Sequence, residues 1–153
     1  MFPSHDRSGK GHLLLEGQRT NLVGYSEDFS SFALNFNTLT SNTAISPDGT
    51  QNASLIESTT TASSYIANQS ASITIGNTYT FSVFAKKGNN DWIRIAHISS
   101  AATAAWFDLE NGVVGTVNST SATIEDYGNG WYRCTNTFVA THNSGNLTFI
   151  GIY

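Results

Sequence analysis

Tyr79-Thr80-Phe81-Ser82-Val83-Phe84-Ala85 is the stretch whose reading decides the fold class. Successive side chains of a strand point to opposite faces, so period two sends Tyr79, Phe81, Val83 and Ala85 to one apolar face. On its N-terminal side, Gly76-Asn77 ends the preceding run, residues 71–75. On its C-terminal side, Lys87-Gly88-Asn89-Asn90 turns the chain into residues 92–98. Gly and Asn tolerate the positive φ that tight hairpins require, so these residues predict a hairpin. The alternation of short apolar run and turn then continues. Residues 104–109 meet Asn111-Gly112, the strongest short hairpin signal, and 113–117 follow. Residues 122–127 meet Gly128-Asn129-Gly130 and continue as 131–140, and His142-Asn143-Ser144-Gly145-Asn146 leads into 147–153. Evenly spaced turns between short apolar runs are the pattern of a sandwich or barrel. No segment sustains a 3.6-residue period, so any helix is short. Residues 39–51 are low in large apolar side chains, and Ser46-Pro47-Asp48-Gly49 is a turn by its own chemistry.

Composition agrees. A chain of 153 residues is the size of one domain and buries roughly 70% of its unfolded surface, enough for a core without disulfide or metal. Charged residues make up only 12%, about half the usual share. Polarity comes instead from 19 Thr, 19 Ser and 15 Asn. Ser and Asn compete for helical backbone hydrogen bonds and Thr prefers a pleated surface, which argues against helices along nearly the whole chain. The net charge is −4 and the seven Lys and Arg are scattered except for Lys86-Lys87, so no phosphate-neutralising stripe exists and nucleic acid is not expected. No run of about 18 apolar residues is present, so no membrane span is expected. Met1-Phe2-Pro3-Ser4-His5 lacks the basic-then-apolar pattern of a secretory signal. Cys134 is alone, forbids an internal disulfide, and reads as a small apolar group in a strand.

The ends read differently from the middle. Residues 1–12 are polar and form an extended N-terminal lead-in; residues 13–153 form the sandwich domain. Leu147-Thr148-Phe149-Ile150-Gly151-Ile152-Tyr153 is a strong apolar strand at the very end. A bare apolar edge invites aggregation, so the expectation is either truncation of a longer protein or a partner that covers this strand.

Several pieces of the chain resemble a known family. Leu13-Leu14-Leu15-Glu16-Gly17-Gln18-Arg19-Thr20-Asn21-Leu22, followed by Tyr25-Ser26-Glu27-Asp28-Phe29, resembles the opening of a module common in phage and prophage structural proteins. Those include tail-fibre, head-fibre and spike-like proteins. Ser46-Pro47-Asp48-Gly49-Thr50, Tyr79 to Lys86, Phe107-Asp108-Leu109 and Gly128-Asn129-Gly130-Trp131-Tyr132-Arg133-Cys134 match in order. The resemblance covers nearly the whole chain. It implies an all-β, jelly-roll β-sandwich, similar to galactose-binding-like carbohydrate-binding modules, in a virion setting with other virion proteins and a homo-oligomeric assembly as partners. Two departures stand out. Where the family has a Trp after Glu-Asp-Phe, this chain reads Phe32-Ala33-Leu34-Asn35-Phe36, and a family segment near Gly-Ala-Gln-Leu-Glu is missing after residue 153.

No catalytic constellation emerges. His5, His12, His97 and His142 lack paired-ligand spacing for zinc. Gly24-Tyr25-Ser26-Glu27-Asp28 fails the Gly-x-Ser-x-Gly pattern at its last position. Glu27-Asp28 and Glu125-Asp126 are adjacent pairs, and neighbours on a strand face opposite ways, so neither acts as a glycosidase pair. The expected protein is therefore not an enzyme. Related jelly rolls hold a structural Ca²⁺ near the first strand on carboxylates and carbonyls; here the resemblance implies Glu27, Asp28 and Asp48. Sugar binding needs aromatic planes with polar neighbours. The candidates are Trp92 beside Asn89, Asn90 and Asp91, Tyr65 in its Ser-rich surroundings, and Trp106 with Asp108. If Phe107 and Leu109 face the core, Trp106 and Asp108 share the opposite face. Trp131 and Tyr132 follow a tight turn and are expected to pack instead. The reading is a non-catalytic phage surface component contacting host glycans; the alternative is a carbohydrate-binding module of a secreted polysaccharide-active enzyme.

Overall fold

The computed structural model describes residues 4–5, 11–12, 20–23, 28–59, 64–68, 71–98, 100–143 and 147–152. In chain order the strands are β1 (Ser4–His5), β2 (Gly11–His12), β3 (Ala33–Asn35), β4 (Asn37–Ala44), β5 (Ala53–Ser58), β6 (Ser64–Asn68) and β7 (Thr78–Lys86). They continue as β8 (Trp92–His97), β9 (Ala105–Asp108), β10 (Val113–Val117), β11 (Ser121–Gly128), β12 (Trp131–Val139) and β13 (Leu147–Ile152). Helix among the described residues is confined to two single 3₁₀ turns, Phe29–Ser31 and Ala101–Thr103. The chain is an all-β sandwich, as its composition and period-two runs predict.

One layer is a six-stranded sheet in the order β10-β9-β8-β13-β6-β3, and the other a three-stranded sheet, β11-β12-β7. Every pairing is antiparallel. The hairpin β4-β5 and the short pair β1-β2 complete the described strands. The Trp131 indole ties the β4-β5 hairpin to the three-stranded sheet, donating from Nε1 to the Ile45 carbonyl at 3.0 Å. Tyr132, next in the strand, packs against the core, as its position after a tight turn predicts.

The core lies between the inner faces. Ile66, Ile93, Ile95 and Phe107 come from the six-stranded sheet; Ala85, Cys134 and Phe138 come from the other, with Tyr79, Phe81 and Val83 packed against them. The odd-position face of β7 is therefore the inward one. Each fully buried Ile or Phe contributes about 1.5–3 kcal/mol, so this layer of alternating residues carries most of the stability. Phe32 joins the same cluster and meets the Phe29 ring edge-on at 5.0 Å.

Polar groups also enter the core. His97 is fully buried and stacks on Phe138 at 5.3 Å. Asn136, inward on β12, donates from Nδ2 to the carbonyls of Ile95 and Thr103, both at 2.9 Å. The Thr103 hydroxyl in turn donates to the His97 carbonyl at 3.1 Å. One side-chain amide thereby bonds the two layers across the sandwich.

Three expectations change. Residues 87–90 do not close a hairpin: β7 pairs with β12, whereas β8 pairs with β9 and β13, so the loop carries the chain from one sheet to the other. None of its four residues adopts positive φ. Residues 71–75 are not a strand, although Ala71 and Ile73 are buried. The strand β13 is no bare edge, since it is hydrogen-bonded to β6 on one side and β8 on the other.

The Asn111-Gly112 signal does mark a hairpin. Its loop is four residues long, set by the Asp108↔Val113 pairing, with Gly112 at φ +65° donating to the Asp108 carbonyl at 3.0 Å. Gly128, Asn129 and Gly130 all take positive φ and close β11 onto β12.

Cys134 is fully buried, and burial pushes its thiol up to about 12. A free thiol in the unfolded chain ionises near pH 9, where the native thiol stays neutral. The sign follows: this contribution is intact below about pH 9 and is lost as pH rises from there toward 12, by up to about 1.4 kcal/mol per pH unit. Cys134→Ala is expected to remove that component of the alkaline slope in urea titrations. In the native protein the thiol should resist a disulfide reagent at pH 8 and react only once denaturant is added; rapid native reaction would show the strand opens.

Candidate functional site

Parity on the six-stranded sheet sorts the aromatic residues. Ile93 and Ile95 on β8, Ile66 on β6 and Phe107 on β9 face the core, so Trp92, Arg94, Tyr65 and Trp106 face outward. Strand register then brings them together. Arg94 lies opposite Trp106, and Trp92 opposite Asp108. On its other side Arg94 lies opposite Gly151 of β13, and β6 with Tyr65 follows next. Adjacent strands are about 4.8 Å apart, so Tyr65 and Trp106, three strands removed, are separated by about 14 Å. All three aromatic residues expected to bind sugar thus share one face of one sheet.

Two contacts shape this face. The Arg94 guanidinium carbon stands 5.8 Å from the centroid of the Trp106 ring, within the range of a cation–π contact. Gly115 on β10 leaves room for Trp92: a Cβ there would stand 2.5 Å from Cζ3 of the Trp92 ring and 3.5 Å from the Trp106 Cβ. The missing side chain at Gly115 therefore decides where the Trp92 ring lies. Trp92 and Trp106 are both half-buried.

Asp108 belongs to the same strand pair but serves the loop. Its Oδ1 accepts from the Glu110 and Asn111 backbone amides at 2.9 and 3.0 Å, and its Oδ2 accepts from the Asn111 side chain at 2.8 Å. The Asn111 side chain, more than any other group, holds its carboxyl below the usual carboxylate range. Phe107 and Leu109 are buried as expected, yet Asp108 is buried too, at 7% exposure, so it is a turn staple. Asn90 is exposed in the loop before β8. Beside it, Asp91 pairs with Lys87 at 3.0 Å, and Glu110 pairs with the same ammonium.

Asp28 and Asp48 are the described members of the expected calcium set. Glu27 lies outside the described residues. Asp28 caps the first 3₁₀ turn, its Oδ1 accepting from the Ser30 amide at 2.8 Å. It lines a polar groove of about 400 Å³ with Ser30, Ser41, Asn42, Asn52 and Ser54. Asp48 serves its own turn. Its Oδ1 takes the Ser46 hydroxyl at 2.6 Å and the Thr50 amide and hydroxyl at 2.7 Å, while Asn52 donates to Oδ2. Those donors, the Ser46 hydroxyl foremost, hold its carboxyl well below the ordinary range. Among the described residues, no three His, Cys, Asp or Glu side chains gather where they could hold a metal.

Glu125 and Asp126 sit on opposite faces of β11, and Asp126 accepts from the Gly128 amide at 2.7 Å. His142 is exposed, hydrogen-bonded to Thr141. No helix among the described residues is long and apolar enough to cross a membrane.

Sequence reasoning missed three residues: Gly115, which seats Trp92, and the pair Phe84 and Tyr127 on the other sheet. Phe84 was visible as the apolar residue that breaks the alternation of β7. Gly115 carries no signal of its own until register places it beside Trp92. Compared with protein-family models, the chain matches none, and comparison with curated proteins finds no relative either.

Proposed function

We propose that this chain is a non-catalytic surface component of a phage particle, a fibre, spike or decoration domain. In this reading it is a jelly roll of the galactose-binding-like kind that contacts host glycans. The observation that carries the glycan contact is the shared outward face of Tyr65, Trp92 and Trp106, drawn from three strands of one sheet. Aromatic planes with a guanidinium and amides nearby suit a pyranose, whose apolar face stacks while its hydroxyls bond to polar neighbours. The virion setting, with other virion proteins and further copies of the chain as partners, rests on the ordered motifs from Leu13 to Cys134. Calcium enters through Glu27 and Asp28, since Asp48 is already engaged.

The test is a glycan-array screen of the folded protein with calcium and with chelator. Binding that disappears with chelator supports a calcium-dependent adhesin. Binding indifferent to chelator keeps the aromatic face and removes the cation. A clean absence of binding in a folded sample rejects the glycan contact and leaves a purely structural role. Trp92→Ala is expected to weaken binding by about tenfold, the equivalent of about 1.4 kcal/mol. The thermal transition should stay cooperative because the ring lies outside the core; loss of that transition would place the sugar site elsewhere.

A further inference from the structure

The outer face of β7-β12-β11 carries two exposed aromatic rings that the core does not use, and the half-buried Trp131 stands on the same face across from Lys86. Phe84 is 43% exposed and Tyr127 48%. They stand on the two strands that flank β12, and their rings meet edge to face with centroids 4.8 Å apart. Between Trp131 at one end of this face and the exposed Val139 at the other, the rows are polar. Thr80 and Thr137 share a hydrogen bond between hydroxyls at 2.9 Å, and Ser82, Thr135 and Thr123 fill the next row.

Charge on this face runs against the molecule as a whole. The chain carries a net −4, yet Phe84 has a cation on each side: Arg133 directly across on β12, and Lys86 two residues along β7. The Lys86 stem runs beside Gly130, where a Cβ would stand 3.4 Å from Lys86 Cε, so the turn leaves room for it. Glu125, across from Arg133 on the side away from Phe84, is the one carboxylate in these rows.

The exposed area selects the occupant. Two half-exposed rings offer on the order of 200 Å² of aromatic surface. A stable dimer needs about 800 Å² per partner with an apolar centre, and the two rings with the half-buried Trp131 and the distant Val139 fall well short of it. One or two sugar rings fit that area, and the paired cations favour an acid. We infer that the Phe84–Tyr127 bridge is a second saccharide-stacking site, taking a short acidic oligosaccharide whose carboxylate lies between Lys86 and Arg133. It occupies the opposite side of the sandwich from Trp92 and does not depend on that site.

The test titrates the whole chain with tetragalacturonate and with a hyaluronan tetrasaccharide, using methyl-esterified tetragalacturonate as the uncharged control. Acidic probes should bind, and esterification should weaken binding about tenfold. Phe84→Ala and Tyr127→Ala should each abolish it while the circular dichroism melt stays cooperative. The double variant Lys86→Met with Arg133→Met should bind acid and ester alike. The preference for acid over ester should vanish in Phe84→Ala and persist in Trp92→Ala, which separates failure here from failure of the other face. Absence of binding to both acidic probes, or unaltered binding in Phe84→Ala, overturns the inference. So would sedimentation showing a dimer that Phe84→Ala disperses, since the face would then belong to a second copy.

Discussion

Asn136→Ala is expected to lower the stability of the fold by about 3 kcal/mol and its Tm by roughly 6–12 °C. The side chain is fully buried on the inner face of β12. Its amide nitrogen serves two acceptors in the opposite layer, the Ile95 carbonyl on β8 and the Thr103 carbonyl beyond β8. Truncation removes both donors from a dry interior and opens a small cavity, and each carbonyl left without its donor costs about 1–3 kcal/mol. The Asn136 Oδ1 is buried with no partner, which trims the loss because its removal relieves a desolvated acceptor. Asn136→Asp should be worse, since it deletes the donor and adds a buried charge. Urea denaturation followed by circular dichroism gives the value. A loss below about 0.5 kcal/mol would mean that the amide does not bridge the layers. A double-mutant cycle with Thr103→Val should show coupling, because the two side chains belong to one network.

Gly115→Val is expected to reduce glycan affinity by more than about tenfold while leaving the protein folded. Gly115 has no positive φ, and valine suits an edge strand. The backbone therefore accepts the change. The Trp92 ring does not, because the new Cβ would stand 2.5 Å from Cζ3 and 3.1 Å from Cη2. Those atoms are the far end of a half-exposed side chain, so the indole swings away at modest cost in stability and the stacking plane is lost. Gly88→Val is the control: nothing lies within 4 Å of a Cβ there, and binding should be unaltered. Unchanged affinity in Gly115→Val would place the sugar on another surface.

Both predictions rest on residues that sequence pattern did not single out, and the reason is physical. Period-two alternation reports which side of its own strand a residue occupies. It therefore identified the inward face of β7 and the bounds of β8 to β13 to within a residue or two. Positive φ at Gly112, Gly128, Asn129 and Gly130 was readable in the same local way, because only Gly and Asn adopt it at low cost. Burial of Cys134 and of Phe107 followed from the same alternation.

Partnership between strands is a different quantity. The loop at residues 87–90 has hairpin composition, yet β8 finds β9 and β13, since ladder partners are chosen by how two sheets bury their apolar faces together. The last strand, β13, looked like an exposed edge in sequence and lies between two neighbours in space. Asp108 alternates outward on paper, but its carboxylate turns to satisfy the amides of its own loop. By itself the sequence determined an all-β chain, its turns and the polarity of each strand's two sides, all of which depend on neighbours a few residues away. Only the tertiary structure decided that Tyr65, Trp92 and Trp106 share a face, that Gly115 seats an indole and that Asn136 joins the layers. Those relations link residues from 14 to 41 positions apart, and register between distant strands sets them.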